Sequence, residues 1–390
     1  MSNSKKGRLA DVLGTPDRVA VERGLAEFRS GRPVLIAGAG VTVLALPVDG
    51  MTDERLAAYR QLCAPAIPHL LVTGRRGQAL GLGATGPLGI KISETDRAAA
   101  ILALAADARV ERKLDVVGAG PVAGAAIELA KLGQQLPALL IAEGEARSGA
   151  LRELALVTVN ADAIARFRRT AIDSIAVAAE AEVPLRGGLR TRFVIFRDAT
   201  GGSSVAVIVG SPDLREPVPM RLHSACLTGD VFGSRRCDCG DQLRLALSRL
   251  EELGGGIILY LEQEGRGLGL ANKMRAYQLQ DAGLDTIDAN AALGFDDDER
   301  DYGAAVRMLQ ILGCQRVRLL TNNPAKLDGL AQAGIEIVGR IPLHGPVNAD
   351  NRRYLTAKAT RAGHKLDDLL AAVAEPAETP QPPGGRDRAS

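Results

Sequence analysis

Apolar and polar positions along the first part of the chain fall into two spacings that alternate. Thr15-Pro16-Asp17 reads as a helix start: a capping hydroxyl, a proline where no amide donor is missed, and an acid near the positive end of the dipole. The helix it opens is predicted to run to about Ser30 and to lead into Val34 to Ala37, a buried strand. Val41 to Pro47, Leu70 to Thr73 and Pro137 to Ala142 read as further strands. Helical spacing recurs over Asp53 to Leu62, Asp96 to Ala106 and Val122 to Leu132. Ala178 to Arg192, with Pro184 and the pair Gly187-Gly188, reads as a boundary. Beyond it, Phe193 to Phe196 and Val205 to Val209 form a predicted hairpin turned by Gly201-Gly202-Ser203. Val218 to Leu222, Ile257 to Leu261 and Val317 to Thr321 are buried strands, and Asp241 to Leu253 and Gly303 to Leu312 are amphipathic helices.

This alternation predicts an α/β (α+β) fold in two domains, spanning residues 1–180 and 181–370, the second a mixed sheet with flanking helices. Residues 371–390, rich in proline, glycine and mixed charge, read as a disordered tail. At 390 residues the chain exceeds one ordinary domain. Hydrophobic residues make up 46%, charged residues 24%, and the formal net charge is +2, the balance of a globular protein with sizeable cores. Aromatic residues are only 3% and no basic tract occurs, which argues against a nucleic-acid platform. Met1 to Asp11 lacks a signal-peptide core, and no apolar window is long enough to span a bilayer. Cys63 and Cys314 sit alone in apolar surroundings and read as core. The expectation is a reduced, cytoplasmic protein without a membrane partner.

Candidate chemistry concentrates between Arg221 and Gln242. Cys226, Cys237 and Cys239 are three of the chain's five cysteines, the last two split by one residue, which suggests zinc. Three thiolates leave two readings open: a catalytic metal with a vacant position, or a structural one completed by His223. Gly265, Gly267 and Gly269 let backbone amides approach an anion, and Arg266 adds a fixed charge. Asn322-Asn323-Pro324 and Lys326 follow a strand's C-terminal end, where α/β sheets bind ligands. Gly38-Ala39-Gly40-Val41 and Gly118 to Gly124 are weak phosphate-loop candidates that fit ordinary turns better. Asp296 to Asp301 fits a solvated acidic loop as well as a site.

Taken together, the cysteines, Glu264-Gly265-Arg266-Gly267, Asp298-Glu299-Arg300 and Thr321-Asn322-Asn323-Pro324 with Lys326 resemble GTP cyclohydrolase II from about Arg221 to His364, more weakly back to Pro184. The resemblance implies hydrolysis of GTP to 2,5-diamino-6-(5-phosphoribosylamino)pyrimidin-4(3H)-one, formate and pyrophosphate, the first step of riboflavin synthesis. It implies that Cys226, Cys237 and Cys239 hold a zinc ion that activates water for attack at C8. It assigns Asp298 as proton acceptor, Arg300 to the α-phosphate step and Tyr277 to ring opening. For Arg300, a guanidinium that stays protonated suits charge stabilisation better than covalent attack. Positions implied to contact GTP are Arg221, Leu222, His223, Ser224 and Ala225, then Gln242, Glu264, Gly265 and Arg266, and finally Thr286, Thr321 and Lys326. Glu264 could accept paired bonds from guanine. Magnesium with the triphosphate and a homodimer are further implications.

Two positions depart from the family pattern. Ala225 replaces a glutamate beside Cys226, and Glu262 replaces an arginine, placing a negative charge near the expected phosphate region. They keep open a paralogue acting on another nucleotide or stopping at a formamido intermediate, as in pyrimidine catabolism, and a GTP-binding regulator without turnover. Upstream, Glu22 to Ile36, Leu70 to Leu82 and Ile90 to Ala98 resemble a 3,4-dihydroxy-2-butanone 4-phosphate synthase domain. That family's acidic loop and Gly-His-Thr-Glu segment are here Gly38-Ala39-Gly40-Val41-Thr42 and Pro121 to Ala125. Without those carboxylates and imidazole, the first domain is expected to be inactive in that reaction and to serve structurally.

Overall fold

The computed structural model describes residues 12–143, 155–363 and 365–366. The predicted tail, Met1 to Asp11 and His364 lie outside the described residues. α1 (Pro16–Arg29) starts as its sequence prescribes, with the Thr15 side chain accepting from the Arg18 N–H. β1 (Val34–Gly38) and β2 (Val41–Pro47) follow as a hairpin with Gly38 opposite Val41. The intervening Ala39 and Gly40 both have positive φ, the geometry tight hairpins favour. The first glycine-rich candidate loop is therefore a turn.

The first half continues through α2 (Asp53–Cys63), β3 (His69–Val72), α3 (Gly74–Ala79), β4 (Leu88–Lys91) and α4 (Ala98–Ala106). It ends with β5 (Val116–Val117), α5 (Ala123–Leu132), β6 (Ala138–Glu143), β7 (Thr158–Asn160) and α6 (Ala161–Asp173). α4 starts two residues later than predicted. Asp96 instead accepts from Ser93 N–H in a turn, and Asp53 accepts from the Ala98 N–H. The strands form a seven-stranded sheet in the order β5-β4-β3-β6-β2-β1-β7. Alternation in β2 divides its side chains between two cores: Val43 and Ala45 pack toward α1, α5 and α6, and Leu44 and Leu46 toward α2 and α4.

The predicted boundary stretch begins as a strand. β8 (Ala176–Pro184) is the exposed edge of a second sheet, paired with β9 (Arg190–Arg197). Its apolar stretch, Ala176 to Ala179, is short and mostly alanine, a weak strand former, so its strand character is faint in the sequence. β10 (Ser203–Gly210), β11 (Val218–Ser224), α7 (Leu227–Asp230), α8 (Cys239–Glu252) and β12 (Gly255–Leu261) come next. α9 (Leu270–Asp281), α10 (Thr286–Ala292), α11 (Gly303–Leu312), β13 (Arg316–Leu320), α12 (Pro324–Gln332), β14 (Glu336–Ile341) and α13 (Arg352–Ala362) complete this half. The sheet order is β14-β13-β11-β12-β10-β9-β8, with β12, β11, β13 and β14 mutually parallel.

Two mixed sheets with flanking helices, in two domains, match the predicted fold class. From β11 the chain passes through α8 to β12 on one side, then returns to β13 on the other. The C-terminal end of β11 is thus a switch point, where loops diverge and leave a crevice. Cys63 and Cys314 are buried in the two cores, and burial pushes the Cys63 thiol up to about 11. No helix among the described residues is long and apolar enough to cross a membrane.

Candidate metal and nucleotide site

β11 delivers Cys226 at the switch point, and α8 begins on Cys239, with Cys237 just before it. The Cys226 and Cys237 Sγ atoms lie 3.7 Å apart, and all three sulfurs fall within 4.8 Å of one another. Sulfurs bound tetrahedrally to zinc at about 2.3 Å would stand about 3.8 Å apart, so the donor set fits that metal. Close approach requires a glycine between the ligands: a Cβ on Gly229 would lie 2.9 Å from Cys237 Sγ and 3.1 Å from Cys226 Sγ. Hydrogen bonds with Cys237 and Cys239 drive the Cys226 thiol well below its usual range, against burial and with help from Lys273.

No His, Asp or Glu joins this cluster among the described residues. His223, the possible fourth ligand, turns its Nε2 to Asp230 at 3.1 Å and stacks on Tyr260. Burial lowers its pKa, so the neutral ring donates Nε2–H to the carboxylate and keeps Nδ1 as an acceptor. Asp230 also accepts from Tyr260 Oη and from the Cys226 N–H, both at 2.9 Å. One carboxylate therefore orients both the imidazole and the first cysteine of the cluster.

A cleft opens from the sulfurs across the switch point. Its walls include Arg221, His223, Ser224, Ala225, Gln242, Glu264, Gly265 and Arg266. Tyr277, Thr286, Arg300, Thr321 and Lys326 complete the set of expected residues that line it. Arg221 is buried, donating to Leu320 O at 2.9 Å and to Gln242 Oε1 at 2.6 Å. Burial lowers its pKa to about 10, which still leaves a cation at neutral pH. Lys326 donates to Leu222 O at 2.9 Å. Arg266 holds a φ of 63°, unusual for a residue with a side chain, in a loop that faces the cleft. Tyr277 lies beneath the Arg236 guanidinium, 4.4 Å from ring centroid to Cζ.

Four expected positions have surroundings that the sequence did not reveal. Leu222 buries its side chain in the core and offers only its carbonyl, because alternation along β11 points it away from the cleft. Asp298 lies outside the cleft lining and pairs with Arg300, its carboxylate accepting from Nε at 2.7 Å. Both oxygens of Glu264 are engaged internally: Oε1 by Lys273 at 2.7 Å, Oε2 by the Leu227 N–H at 2.6 Å. The carboxylate thus braces the cysteine loop from a position in the cleft lining. Glu262 is exposed on the far side of its strand end, where it accepts from the Ser203 N–H at 3.0 Å. Its charge does not face the cleft.

Sequence reasoning gave no role to Asp230 or Lys273. Lys273 donates to Cys226 Sγ at 3.1 Å, Thr228 Oγ1 at 3.0 Å and Glu264. Burial pulls its pKa down, but the bonds to Glu264 and Cys226 outweigh that and leave it raised. The signal was its spacing: Lys273 and Tyr277 are four apart and share one face of α9. Asn290, Asn322 and Asn323 also line the cleft.

Three cysteines that could hold a metal ion, beside a cleft lined by Arg221, Arg266, Arg300 and Lys326, define the class of site. The sequence model of the family described as GTP cyclohydrolase II matches residues 176–342. GTP cyclohydrolase-2 of Azospirillum brasilense is 42% identical over 360 residues, covering 88% of this chain and 93% of that protein. GTP cyclohydrolase-2 of Xylella fastidiosa strain Temecula1 is 40% identical over 380 residues, 95% of this chain and 93% of that one. The riboflavin biosynthesis protein RibBA of Bacillus cytotoxicus is 55% identical over 163 residues, 42% of this chain and 41% of that one. The chain belongs to the GTP cyclohydrolase II family, and it is an enzyme of that family.

Proposed function

We propose that this chain hydrolyses GTP to 2,5-diamino-6-(5-phosphoribosylamino)pyrimidin-4(3H)-one, formate and pyrophosphate, opening riboflavin biosynthesis. The observation that carries this reading is the trio of sulfurs facing a cleft with Arg221, Arg266, Arg300 and Lys326 on its walls. Zinc held by Cys226, Cys237 and Cys239 would supply Lewis-acid activation of water. Arg221 and Lys326 are held by backbone carbonyls, so a phosphate meets fixed cations that need no reorganisation. Arg300 stabilises charge at the phosphates, and Asp298 orients it. Tyr277 serves ring opening from the helix face that also presents Lys273. His223, with Nδ1 as an acceptor, can receive a proton or hydrogen bond at the purine. Magnesium accompanies the triphosphate, and the working form is a cytoplasmic homodimer.

Ala225 favours one second reading. It lines the cleft beside Cys226 without a carboxylate, so proton transfer late in ring opening could fail and release a formamido product. Product mass separates the two, the complete reaction losing formyl carbon as formate. We also propose a first domain over 1–180 that is a degenerate 3,4-dihydroxy-2-butanone 4-phosphate synthase-like unit, a cyclohydrolase domain over 181–370, and a tail over 371–390. Ribulose 5-phosphate is expected to give no butanone phosphate with this protein; measurable product would overturn the inactive assignment.

A further inference from the structure

Several contacts of the first domain reach the segment that forms one wall of the cleft. A single apolar core crosses between the halves: Leu70, Ile101 and Leu104 pack in one cluster with Leu279, Ala292 and Phe295. Within that core Arg76 is 1% exposed. Its guanidinium donates to Ala103 O at 2.9 Å, Leu104 O at 2.8 Å and Asp107 O at 2.8 Å, at the end of α4. It also donates to Ala292 O at 2.7 Å, the last residue of α10. One buried cation thus caps two helix C-termini, one from each half, where the dipoles favour positive charge. Thr73 adds a hydroxyl bond to Gly294 O at 2.7 Å.

A second contact lies further along the same segment. Lys131 of α5 donates to Glu299 Oε1 at 2.6 Å, with both side chains only 13% exposed. Glu299 also accepts from the Asp296 N–H at 2.9 Å, and its own N–H reaches Arg266 O at 3.2 Å. The residue after Glu299 is Arg300.

We propose that the first domain is a positioning domain for the second, fixing residues 286–300 through Arg76 and Lys131 so that Thr286, Asn290 and Arg300 form the cleft wall. The inference rests on the cyclohydrolase reading for its kinetic consequence. Arg76 and Lys131 touch no substrate; they act through the backbone and through Glu299. A reacting group displaced by about 1 Å can lose on the order of a hundredfold in rate, so loosening this wall should lower kcat more than it raises KM.

The test uses the full chain with Lys131→Glu, Glu299→Lys, the double charge swap, and Lys131→Met as a milder variant. Each single reversal is expected to lower kcat for formate release at least tenfold with zinc content retained. The swap should recover most of that loss, and Lys131→Met should fall between. Wild-type kcat in both reversals, or a swap no better than either, overturns the proposal. Hydrogen exchange of the amides at 296–301 gives an answer independent of turnover: faster in the reversals, restored in the swap. If wild-type protein releases no formate, the functional reading fails, and exchange still decides the positioning role. Unchanged exchange in the reversals would count against that role.

Discussion

The first sheet is antiparallel at every junction but β1–β7, whereas β12, β11, β13 and β14 of the second run parallel. Antiparallel neighbours end at opposite edges, so the C-terminal ends of the first sheet's strands are not gathered on one edge. Parallel neighbours end together. In the second sheet that common end collects Cys226 after β11, Glu264 to Arg266 after β12, and Thr321 to Lys326 after β13. Two sheets of equal strand number thus differ in where topology gathers side chains, and the cysteines show it: Cys63 is packing, whereas Cys226 stands in a cluster of three that could hold a metal ion.

The sharpest way to break this contrast is to remove a sulfur from each half. Cys239→Ser is expected to abolish zinc retention and formate release, while Cys63→Ser keeps both; activity in metal-stripped Cys239→Ser protein would contradict the ligand assignment. Next, Arg300→Ala should lower kcat by about 10²–10³ with zinc retained, the cost of losing a preorganised charge. A change confined to KM would instead make Arg300 a plain binding residue.

A smaller effect concerns the Asp298–Arg300 pair. Burial pushes the Asp298 carboxyl up, but the Arg300 bonds and charge, with Arg266, outweigh it and hold the group below its usual value. A folded pKa below the unfolded one adds stability above the unfolded value of about 3.9, lost as pH falls through the folded value. Asp298→Asn should therefore melt a few degrees lower than wild type at neutral pH. That gap should close as the solution is acidified below about pH 4; a gap independent of pH would show that the ion pair is not its source. The smallest expected effect is Glu262→Arg, which should leave the Michaelis constant for GTP unchanged because Glu262 faces the Ser203 amide. A clear decrease would return that charge to the phosphate path.

Much of the architecture was legible because strong local signals agreed with the final packing. Thr15-Pro16-Asp17 caps α1, and the apolar runs at 34–37, 257–261 and 317–320 lie within strands at the centre or core of their sheets. β8 was missed because its exposed edge is built of alanine and glutamate, and α3, α9 and α10 because tertiary contacts, not periodicity, define them; α6 was missed although Asn160 caps it and Ala163, Ile164 and Phe167 bury one face at helical spacing. At the site, the cysteines could be grouped by their spacing, whereas Arg221 and Arg300 were implied by the family resemblance. Neither says which way a side chain points. Leu222, Glu262 and Glu264 were assigned by position, but strand alternation and competition for internal hydrogen bonds determine what each reaches. Asp230 and Lys273 illustrate the converse: their importance lies in partners 4 to 47 residues away in sequence, which only the fold brings together.

The central claim is that three thiolates and a cationic cleft act together on one nucleotide. Incubating the purified full chain with GTP, zinc and magnesium while quantifying formate and pyrophosphate tests it most directly. The account predicts both products in equal amounts, and neither after the metal is removed. Pyrophosphate without formate, or formate that survives complete metal removal, would contradict it.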